Sequence, residues 1–518
     1  MLGFISNGKC HQRRKIHFPP LWMFVPTIIV ILFVLLPLVY IILRAKQAGW
    51  HTAIELIFRP RVYELLRNTV LLTATVTLAS MTIGLITAWC IERSNLPGRR
   101  IWNVILTLPF AVPAFVSSYS WVSLSPKLQG FGGAALILTL SSYPLVHLPV
   151  AASLRGMDPA LEETARSLGY SQWRTFWRVI LPQTRPALFG GALLIALHML
   201  AEFGALSLLR FETFTTAIYD EYQLAFSNAS AAMLAAVLLV LCLILLFFEV
   251  IVRGRARYAR IGKGVARLRK RVPLGKTMPL VIVFFIMLAL LAIGVPMAML
   301  VYWLIIGSSR AFPIYELGTA IISSLGLAFG GALFTIIFAI PVAVLAVRYR
   351  GYLATLADRL PYMLRAVPGL VIALALVFFS VNYAYSLYQT TFLLLIGYAL
   401  LYLPLALASI RAAAEQAPIR LEETARTLGK RPFQVFFSVT LPLILPGIGS
   451  GATLVFLEGM KELTATLLLR PTGINTLATE VWTHTSNTEY AAAAPFAALL
   501  VLVSGIPAYL LTRHRNKF

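Results

Sequence analysis

The 518-residue chain is 59% hydrophobic and 12% charged, has a mean hydropathy of +0.81 and carries a formal net charge of +24. This composition excludes an ordinary soluble domain, and apolar runs of about twenty residues exclude a β-barrel, whose strands are short and alternate in polarity. The basic residues cluster in particular loops, which is typical of membrane proteins and argues against a nucleic-acid partner. The sequence therefore predicts an all-α polytopic membrane protein.

Twelve apolar runs are each long enough to cross a hydrocarbon core of about 30 Å. The first is too long for a cleavable signal peptide and no small-residue cleavage site follows it, so we expect it to remain as a span. Three scattered cysteines lack metal-ligand spacing, and neither a metal site nor a cofactor is predicted. In chain order the runs are residues 21–43, 69–91, 101–123, 133–154, 187–209, 231–252, 278–306, 319–347, 361–382, 390–410, 447–469 and 491–512.

The Lys and Arg residues indicate on which side of the membrane each loop lies. They are concentrated before the first run, between Arg253 and Lys276, and in the C-terminal tail. This pattern predicts a multi-pass membrane protein, in contact with lipid, with both termini cytosolic. One loop departs from the pattern, because it is expected on the outer face and yet carries five basic residues, Arg44, Lys46, Arg59, Arg61 and Arg67.

The chain divides into two similar halves. We predict a first transmembrane repeat over 1–252, a basic cytosolic linker over 253–277 and a second transmembrane repeat over 278–518. The segment Leu161–Gly169 recurs almost unchanged as Leu421–Gly429. Because each half contains an even number of spans, both copies fall on the cytosolic side. The halves are then parallel six-helix repeats, related by an axis along the membrane normal.

The repeated segment carries the signals of a short helix with a tight exit. Asp158 can cap the helix, Pro159 suits its first turn, and Gly169 can adopt the left-handed conformation after it. A second short helix is expected over 171–180, ending before Pro182. A single copy would also be explained by an amphipathic loop lying under the lipid headgroups. Two copies favour a rigid docking surface presented to a two-fold partner.

The pattern Glu-x-Ala-x-x-x-Gly, followed by Leu-Pro, resembles the signature loop of permease subunits of binding-protein-dependent ABC importers. Thr164 and Thr424 depart from that family's Glu-Ala-Ala at the middle position. The resemblance implies a coupling helix in each repeat, seated in a groove of a cytosolic ABC ATPase that is expected to be a homodimer. It also implies a separate extracytoplasmic substrate-binding protein and a location in the bacterial cytoplasmic (inner) membrane. The implied coupling residues are Glu162, Glu163, Ala165, Gly169, Leu181, Pro182, Glu422, Glu423, Ala425, Gly429, Leu441 and Pro442.

The chain is not expected to be an enzyme. Gly275-Lys276-Thr277 resembles the end of a phosphate-binding loop, but Lys270 stands where that motif requires its first glycine. The histidines form no cluster with Asp, Glu or Ser that would indicate a membrane-embedded enzyme. A secondary transporter is disfavoured because it would be expected to contain inverted rather than parallel repeats. ATP hydrolysis is therefore assigned to a partner subunit.

The segments Ala201–Ala205, Gly459–Pro471 and Asn475–Ala478 resemble the iron(III) branch of these permeases. The fused two-repeat layout belongs to that branch, although thiamine permeases share it and polyamine and phosphonate permeases are related. The resemblance implies iron(III) as the substrate, with thiamine as the first alternative.

Ionisable residues in the fifth run of each repeat are candidates for a translocation path, because such groups are costly inside a membrane. Residues four apart share a helix face, so we expect carboxylates from both repeats to line one route. Oxygen ligands suit a hard cation such as iron(III). Ion pairing with a neighbouring helix, as between Glu462 and Arg365, would be a purely structural alternative. The candidate path residues are His198, Glu202, Glu458, Lys461 and Glu462.

Overall fold

The computed structural model describes residues 20–253, 272–307, 313–349 and 351–515. In the described part of the first repeat there are thirteen helices: α1 (Leu21–Ala48), α2 (Trp50–Phe58), α3 (Pro60–Arg93), α4 (Arg99–Thr107), α5 (Ala114–Leu124), α6 (Phe131–Ser142), α7 (Pro144–Gly156), α8 (Pro159–Ser167), α9 (Gln172–Thr175), α10 (Leu181–Ala201), α11 (Gly204–Leu208), α12 (Phe214–Gln223) and α13 (Asn228–Arg253).

The second repeat follows a similar order. Its helices are α14 (Met278–Ala289), α15 (Val295–Gly307), α16 (Ile314–Arg348), α17 (Tyr352–Met363), α18 (Gly369–Tyr383), α19 (Thr391–Gln416), α20 (Ile419–Thr427), α21 (Pro432–Val435), α22 (Leu441–Met460), α23 (Thr464–Leu469), α24 (Leu477–Ser486) and α25 (Tyr490–Arg515). Within the described residues, π turns join helices end to end at Phe176–Ile180, Leu290–Gly294 and Phe436–Thr440.

Nine helical segments in the described ranges are long and apolar enough to cross a membrane. A further candidate is the pair Arg99–Ala111 and Ala114–Leu124, bent by 89°, and two shorter apolar helices span Gly369–Tyr383 and Tyr490–Gly505. Together these segments overlap the twelve apolar runs, which confirms the all-α polytopic prediction. The nine are Leu21–Gln47, Pro60–Arg93, Phe131–Gly156, Gln172–Ala201, Asn228–Phe248, Gly275–Gly307, Ile314–Arg348, Thr391–Gln416 and Pro432–Met460.

Proline breaks a span at equivalent positions in the two repeats. Val112 precedes Pro113 and Val367 precedes Pro368, and both valines are extended, with ψ of 122° and 118°. A residue before proline is driven out of the α region because the ring clashes with its backbone. The predicted run 101–123 is therefore two helices at nearly a right angle rather than one continuous span.

The predicted runs 187–209 and 447–469 are also interrupted, so the expectation of continuous fifth spans is wrong. α10 ends at Ala201 and α22 ends at Met460, and the chain turns before it restarts as α11 and α23. Hydropathy misses these breaks because the residues on both sides of them are apolar.

The helix predicted over 171–180 does not end before Pro182. It continues through α9, a π turn and α10, and the N–H of Leu181 donates to the carbonyl of Phe176 within the π turn. This wider turn lies where an α-helix would require the N–H that proline lacks, so the helix passes the proline without ending. The second repeat passes Pro442 in the same way.

Each repeat is built around three mutually packed helices, α3, α7 and α10 in the first and α16, α19 and α22 in the second. The first span of each repeat packs against the other repeat, since α1 contacts α16 and α18 while α14 and α15 contact α4 and α5. Met23 and Val30 of α1 are buried in the core of the second repeat, and Phe285 and Leu288 of α14 in that of the first. This reciprocal exchange interlocks the repeats, as a two-fold relation between them requires.

Ala187-x-x-x-Gly191 and Gly447-x-x-x-Gly451, near the start of the fifth runs, have the small-residue spacing that predicts close helix packing. A Cβ on Gly191 would lie 2.9 Å from the carbonyl oxygen of Leu145, and one on Gly447 would lie 2.8 Å from that of Ser409. Gly451 also faces a neighbouring backbone, whereas Gly190 and Gly449 face open space. The prediction of close packing is therefore confirmed for Gly191, Gly447 and Gly451 alone.

The basic loop expected on the outer face is partly neutralised by protein partners. Arg59 Nη2 lies 2.9 Å from Glu221 Oε1, and Arg61 Nη1 lies 3.9 Å from the same oxygen. Arg44 stacks over the ring of Phe378 at 4.5 Å. These contacts give the loop a structural reason to be basic that is independent of membrane orientation.

The predicted linker 253–277 lies largely outside the described residues, so the domain boundaries stay predictions. Its described end is attached to the first repeat, because the N–H of Val272 donates to the carbonyl of Arg93 at 2.8 Å. The N–H of Asn95 donates to the carbonyl of Val272 at 3.1 Å.

Candidate central cavity and docking helices

A cavity of about 440 Å³ lies between the two repeats, where their broken spans meet. The proline bend at Val112–Phe115 and the equivalent bend near Val367 contribute to its wall, together with the ends of α10 and α22. The fold thus brings all five candidate path residues to one place, although the sequence distributes them between two repeats. These are His198, Glu202, Glu458, Lys461 and Glu462.

Glu202 closes the break after α10. Its backbone is extended, with φ −71° and ψ 124°, and its Oε1 accepts from the N–H of Ala205 at 2.9 Å. The hydroxyl of Thr215 donates to the Glu202 carbonyl at 2.6 Å. The second carboxylate oxygen, Oε2, lies 3.5 Å from His198 Nε2. The Glu202 side chain is 11% exposed and that of His198 is 46% exposed, so the imidazole is the more accessible group.

Glu462 closes the corresponding break after α22. Its Oε1 accepts from the N–H of Ala465 at 2.9 Å, and the hydroxyl of Thr466 donates to its carbonyl at 3.1 Å. Its Oε2, however, accepts from the hydroxyl of Tyr402 at 2.7 Å. The two glutamates therefore share one backbone role and differ in the partner of the second oxygen.

The expectation that these carboxylates lie on a continuous helix face is wrong, because Glu202 and Glu462 follow the helix ends. His198 and Glu202 are nevertheless neighbours. Lys461 turns towards the first repeat, where its Nζ donates to the carbonyl of Phe110 at 3.4 Å and lies 5.2 Å from the ring centre. Arg365 also lines the cavity.

Sequence reasoning missed Tyr402, although the repeat contained a signal for it. Tyr398-x-x-x-Tyr402-Leu-Pro in α19 matches Tyr143-x-x-x-His147-Leu-Pro, which begins one residue before α7. His147 is buried and contacts Thr87 Oγ1 at 2.9 Å, whereas Tyr402 bonds to the cavity glutamate. Among the described residues, no three His, Cys, Asp or Glu side chains are grouped so as to hold a metal ion.

The helices predicted to dock on a partner, α8 and α20, are called the docking helices here and have the local geometry that the sequence predicts. Asp158 Oδ1 accepts from the N–H of Ala160 at 3.0 Å, which caps α8, and Pro159 occupies the first turn. Gly169 and Gly429 follow the helices with φ of 82° and 83°, the left-handed region that favours glycine.

The predicted coupling residues divide into inward-facing and outward-facing groups. Glu163 and Glu423 are exposed, as are the two glycines, whereas Ala165 and Ala425 are buried. The Leu-Pro pairs, Leu181-Pro182 and Leu441-Pro442, follow the π turns at the start of α10 and α22.

Glu162 and Glu422 also face inward, where each contacts an arginine at the end of a second span. Glu162 pairs with Arg93, and Glu422 Oε1 lies 2.8 Å from Arg348 Nε. The exposed apolar side chains available to a partner are Leu161, Leu168, Trp173 and Trp177 in the first repeat and Leu421, Leu428, Phe433 and Phe437 in the second.

Comparison with known proteins establishes the family. The model of the binding-protein-dependent transport system inner membrane component matches residues 80–258 and again 335–517. The chain belongs to this family and carries its domain twice, once in each repeat. It is therefore a multi-pass inner-membrane permease subunit of an ABC importer.

The relatives include one that spans both repeats. The Fe(3+)-transport system permease protein FbpB 2 of Haemophilus influenzae is 48% identical over 503 residues, which are 96% of this chain and 99% of that protein. The sulfate transport system permease protein CysT of Escherichia coli is 30% identical over 239 residues, which are 42% of this chain and 86% of CysT. The molybdenum transport system permease protein ModB of Escherichia coli is 30% identical, over 33% of this chain and 85% of ModB.

Proposed function

We propose that this chain forms the path by which iron(III) crosses the bacterial inner membrane. Iron would arrive on an extracytoplasmic binding protein, and a separate cytosolic ATPase would drive its import. The observation that supports iron(III) as the substrate is the 48% identity to a permease named for Fe(3+) transport, across 96% of the chain. The sulfate and molybdenum relatives match less than half of the chain.

The charges around the cavity support a cation as the cargo. An oxyanion is commonly held by backbone N–H groups at the start of a helix. Here the N–H groups of Ala205 and Ala465, at the restart of each broken span, already bond to protein carboxylates. Among the described residues that line the cavity, three carboxylates outnumber two permanent cations, which favours a hard cation; these are Glu202, Glu458, Glu462, Lys461 and Arg365.

The five candidate residues would act along this path in different ways. Glu202 and Glu462 would fix the broken helices with one oxygen and present negative charge with the other. Glu458 and His198 occupy equivalent positions in the two repeats and line the same cavity. A path must release what it binds, so we expect weak and successive contacts rather than a tight metal site.

The docking helices would seat in the cytosolic ATPase. Their exposed faces offer Glu163 and Glu423 with apolar neighbours, and the two copies suit the two equivalent grooves of a homodimer. Both chain termini and the basic linker would then lie on this cytosolic side, as the charge distribution predicts.

Iron uptake into proteoliposomes containing the permease, its ATPase and its binding protein tests the path. Glutamine keeps an oxygen that can accept from Ala205 or Ala465 but removes the charge, so we expect a Glu202→Gln/Glu462→Gln variant to insert normally. Its iron uptake should fall by about tenfold, because a cation meets a higher barrier in a low-dielectric path. The exposed Glu415→Gln substitution is the matched control.

Two results would contradict parts of this proposal. Wild-type iron uptake in the double variant would show that the two glutamates do not contribute to the path. Transport of thiamine, a polyamine, a phosphonate or sulfate by the wild-type protein, with no transport of iron, would reassign the substrate within the same family.

A further inference from the structure

Two buried ion pairs tie the docking helices to the second spans of their own repeats. In the first repeat, Arg93 at the end of α3 pairs with Glu162 of α8, and the side chains are 3% and 12% exposed. In the second, Arg348 at the end of α16 pairs with Glu422 of α20, and the side chains are 9% and 6% exposed. We call these two ion pairs the clamps.

Each clamp arginine also holds the chain that leads into the docking helix. Arg348 Nη2 donates to the carbonyl of Ala417 at 3.0 Å, just before α20 begins. Arg93 Nη2 lies 3.1 Å from the sulfur of Met157, just before α8. The docking helix is therefore fixed to the second span at two points, through its glutamate and through its entry turn.

The clamps adjoin the first spans that the repeats exchange. In the first repeat, Arg93 accepts at its carbonyl from the N–H of Val272, which leads into α14. In the second, Arg348 and Glu422 share a small cavity with Trp22 at the start of α1. The ring of Trp22 packs at 4.7 Å from that of Phe436, which follows the second docking helix.

The spans that carry the clamp arginines are central to the packing of each repeat. α3 contacts both α7 and α10, and α16 contacts both α19 and α22. α10 and α22 end at the cavity, next to Glu202 and Glu462. A continuous set of packed helices thus runs from each docking helix to the cavity.

We infer that the clamps are positioning elements that transmit a displacement of the docking helices to α3 and α16, and through them to the central cavity. This inference rests on the proposed function. A buried charge cannot leave its partner without a large desolvation cost, so the docking helix and the span end must move together. The adjacent Glu163 and Glu423 are exposed and would contact the ATPase instead.

The test compares the two charge reversals with their combination. Arg348→Glu and Glu422→Arg each place like charges together, whereas the double variant restores an ion pair with exchanged signs. Iron transported per ATP hydrolysed is measured in proteoliposomes, with ATPase co-purification as the measure of assembly. We expect each single variant to retain the ATPase but to transport about tenfold less iron per ATP, and the double variant to recover most of this loss.

A variant with a neutral pair tests the same inference if the charge reversals fail to fold. Arg348→Met/Glu422→Met removes both buried charges together, which a fold tolerates far better than the loss of one. Its iron-to-ATP ratio should also fall. The matched control is Arg411→Met/Glu415→Met, which removes a more exposed pair, with side chains 34% and 53% exposed, of the same atoms at the same 2.8 Å separation. This control should leave the ratio unchanged.

The possible results distinguish a failure of the inference about the clamps from a failure of the proposed function. Three results would each overturn the inferred role of the clamps. The single reversals could keep the wild-type iron-to-ATP ratio, or the double reversal could have a ratio no higher than that of the weaker single variant. The neutral pair could also leave this ratio unchanged. A wild-type protein that assembles with no ATPase would overturn the proposed function instead.

Discussion

The two repeats perform the same structural task at the cavity with different chemistry. Glu202 and Glu462 both follow the end of a long helix, and both accept from the backbone N–H three residues later at 2.9 Å. The remaining oxygen of Glu202 faces the half-exposed imidazole of His198, whereas that of Glu462 accepts from the hydroxyl of Tyr402.

This comparison shows which glutamate contact both repeats require and which contact can differ between them. A broken span leaves backbone N–H groups without helical partners, and a buried group of this kind must be satisfied. A glutamate at the break meets that need in both repeats. The second oxygen has no such constraint, so its surroundings differ and the cavity is asymmetric. Changes to shared features should therefore have larger effects than changes to features found in one repeat.

The largest effect is expected where glycines of α10 and α22 allow close helix contacts in both repeats. A leucine at Gly447 would place its Cβ 2.5 Å from that of Ala413 and 2.8 Å from the Ser409 carbonyl. Overpacking of this kind typically costs about 1–3 kcal/mol, and more where the backbone must move. We expect Gly447→Leu to lower the thermal unfolding temperature in detergent and the yield of folded protein.

Gly449→Leu is the matched control for this packing prediction, because a Cβ at Gly449 meets nothing within 4 Å. Gly191→Leu and Gly190→Leu repeat the comparison in the first repeat. Equal stability of the Gly447 and Gly449 variants would show that the packing around Gly447 is no tighter than that around Gly449.

A smaller effect, on coupling rather than on folding, is expected at the exits of the docking helices. Gly169 and Gly429 have φ of 82° and 83°, and a Cβ at either would meet no atom within 4 Å. The penalty for valine is therefore conformational, about 1–2 kcal/mol at each position. We expect Gly169→Val/Gly429→Val to insert normally but to bind the ATPase less tightly and to transport less.

Thr427→Val introduces the same side chain within the last turn of α20 and is the control for these exits. Wild-type uptake and ATPase binding in the double glycine variant would mean that the exit geometry does not aim the docking helices.

The sequence predicts the number of apolar segments, the repeat and the docking helices, because hydropathy, duplication and capping residues are all local signals. It does not predict the breaks after Ala201 and Met460, which depend on tertiary contacts and on glutamates satisfying the backbone. Nor does it show that Glu162 faces inward while Glu163 faces outward, since both residues suit a helix surface. That distinction depends on where Arg93 lies in the fold.

The smallest effect is expected where the repeats differ, at Tyr402. Tyr402→Phe removes a hydroxyl that lies 2.7 Å from Glu462 Oε2 and 3.2 Å from the Glu458 carbonyl oxygen, while Glu462 Oε1 keeps its bond to the N–H of Ala465. Loss of one such bond should cost about 1–2 kcal/mol in the free energy of unfolding. The freed oxygen would make the second repeat resemble the first, so iron uptake should change by less than about threefold. Tyr398→Phe, which removes a hydroxyl 2.6 Å from Thr466 Oγ1 and leaves Glu462 Oε2 unchanged, is the control.

The decisive measurement is the effect of Glu462→Gln on iron uptake in the Tyr402→Phe background. If the hydroxyl restrains this carboxylate, the glutamine substitution should reduce uptake more in that background than in the wild type. Equal reductions in both would mean that the two repeats present their carboxylates to the cavity alike, despite their different neighbours.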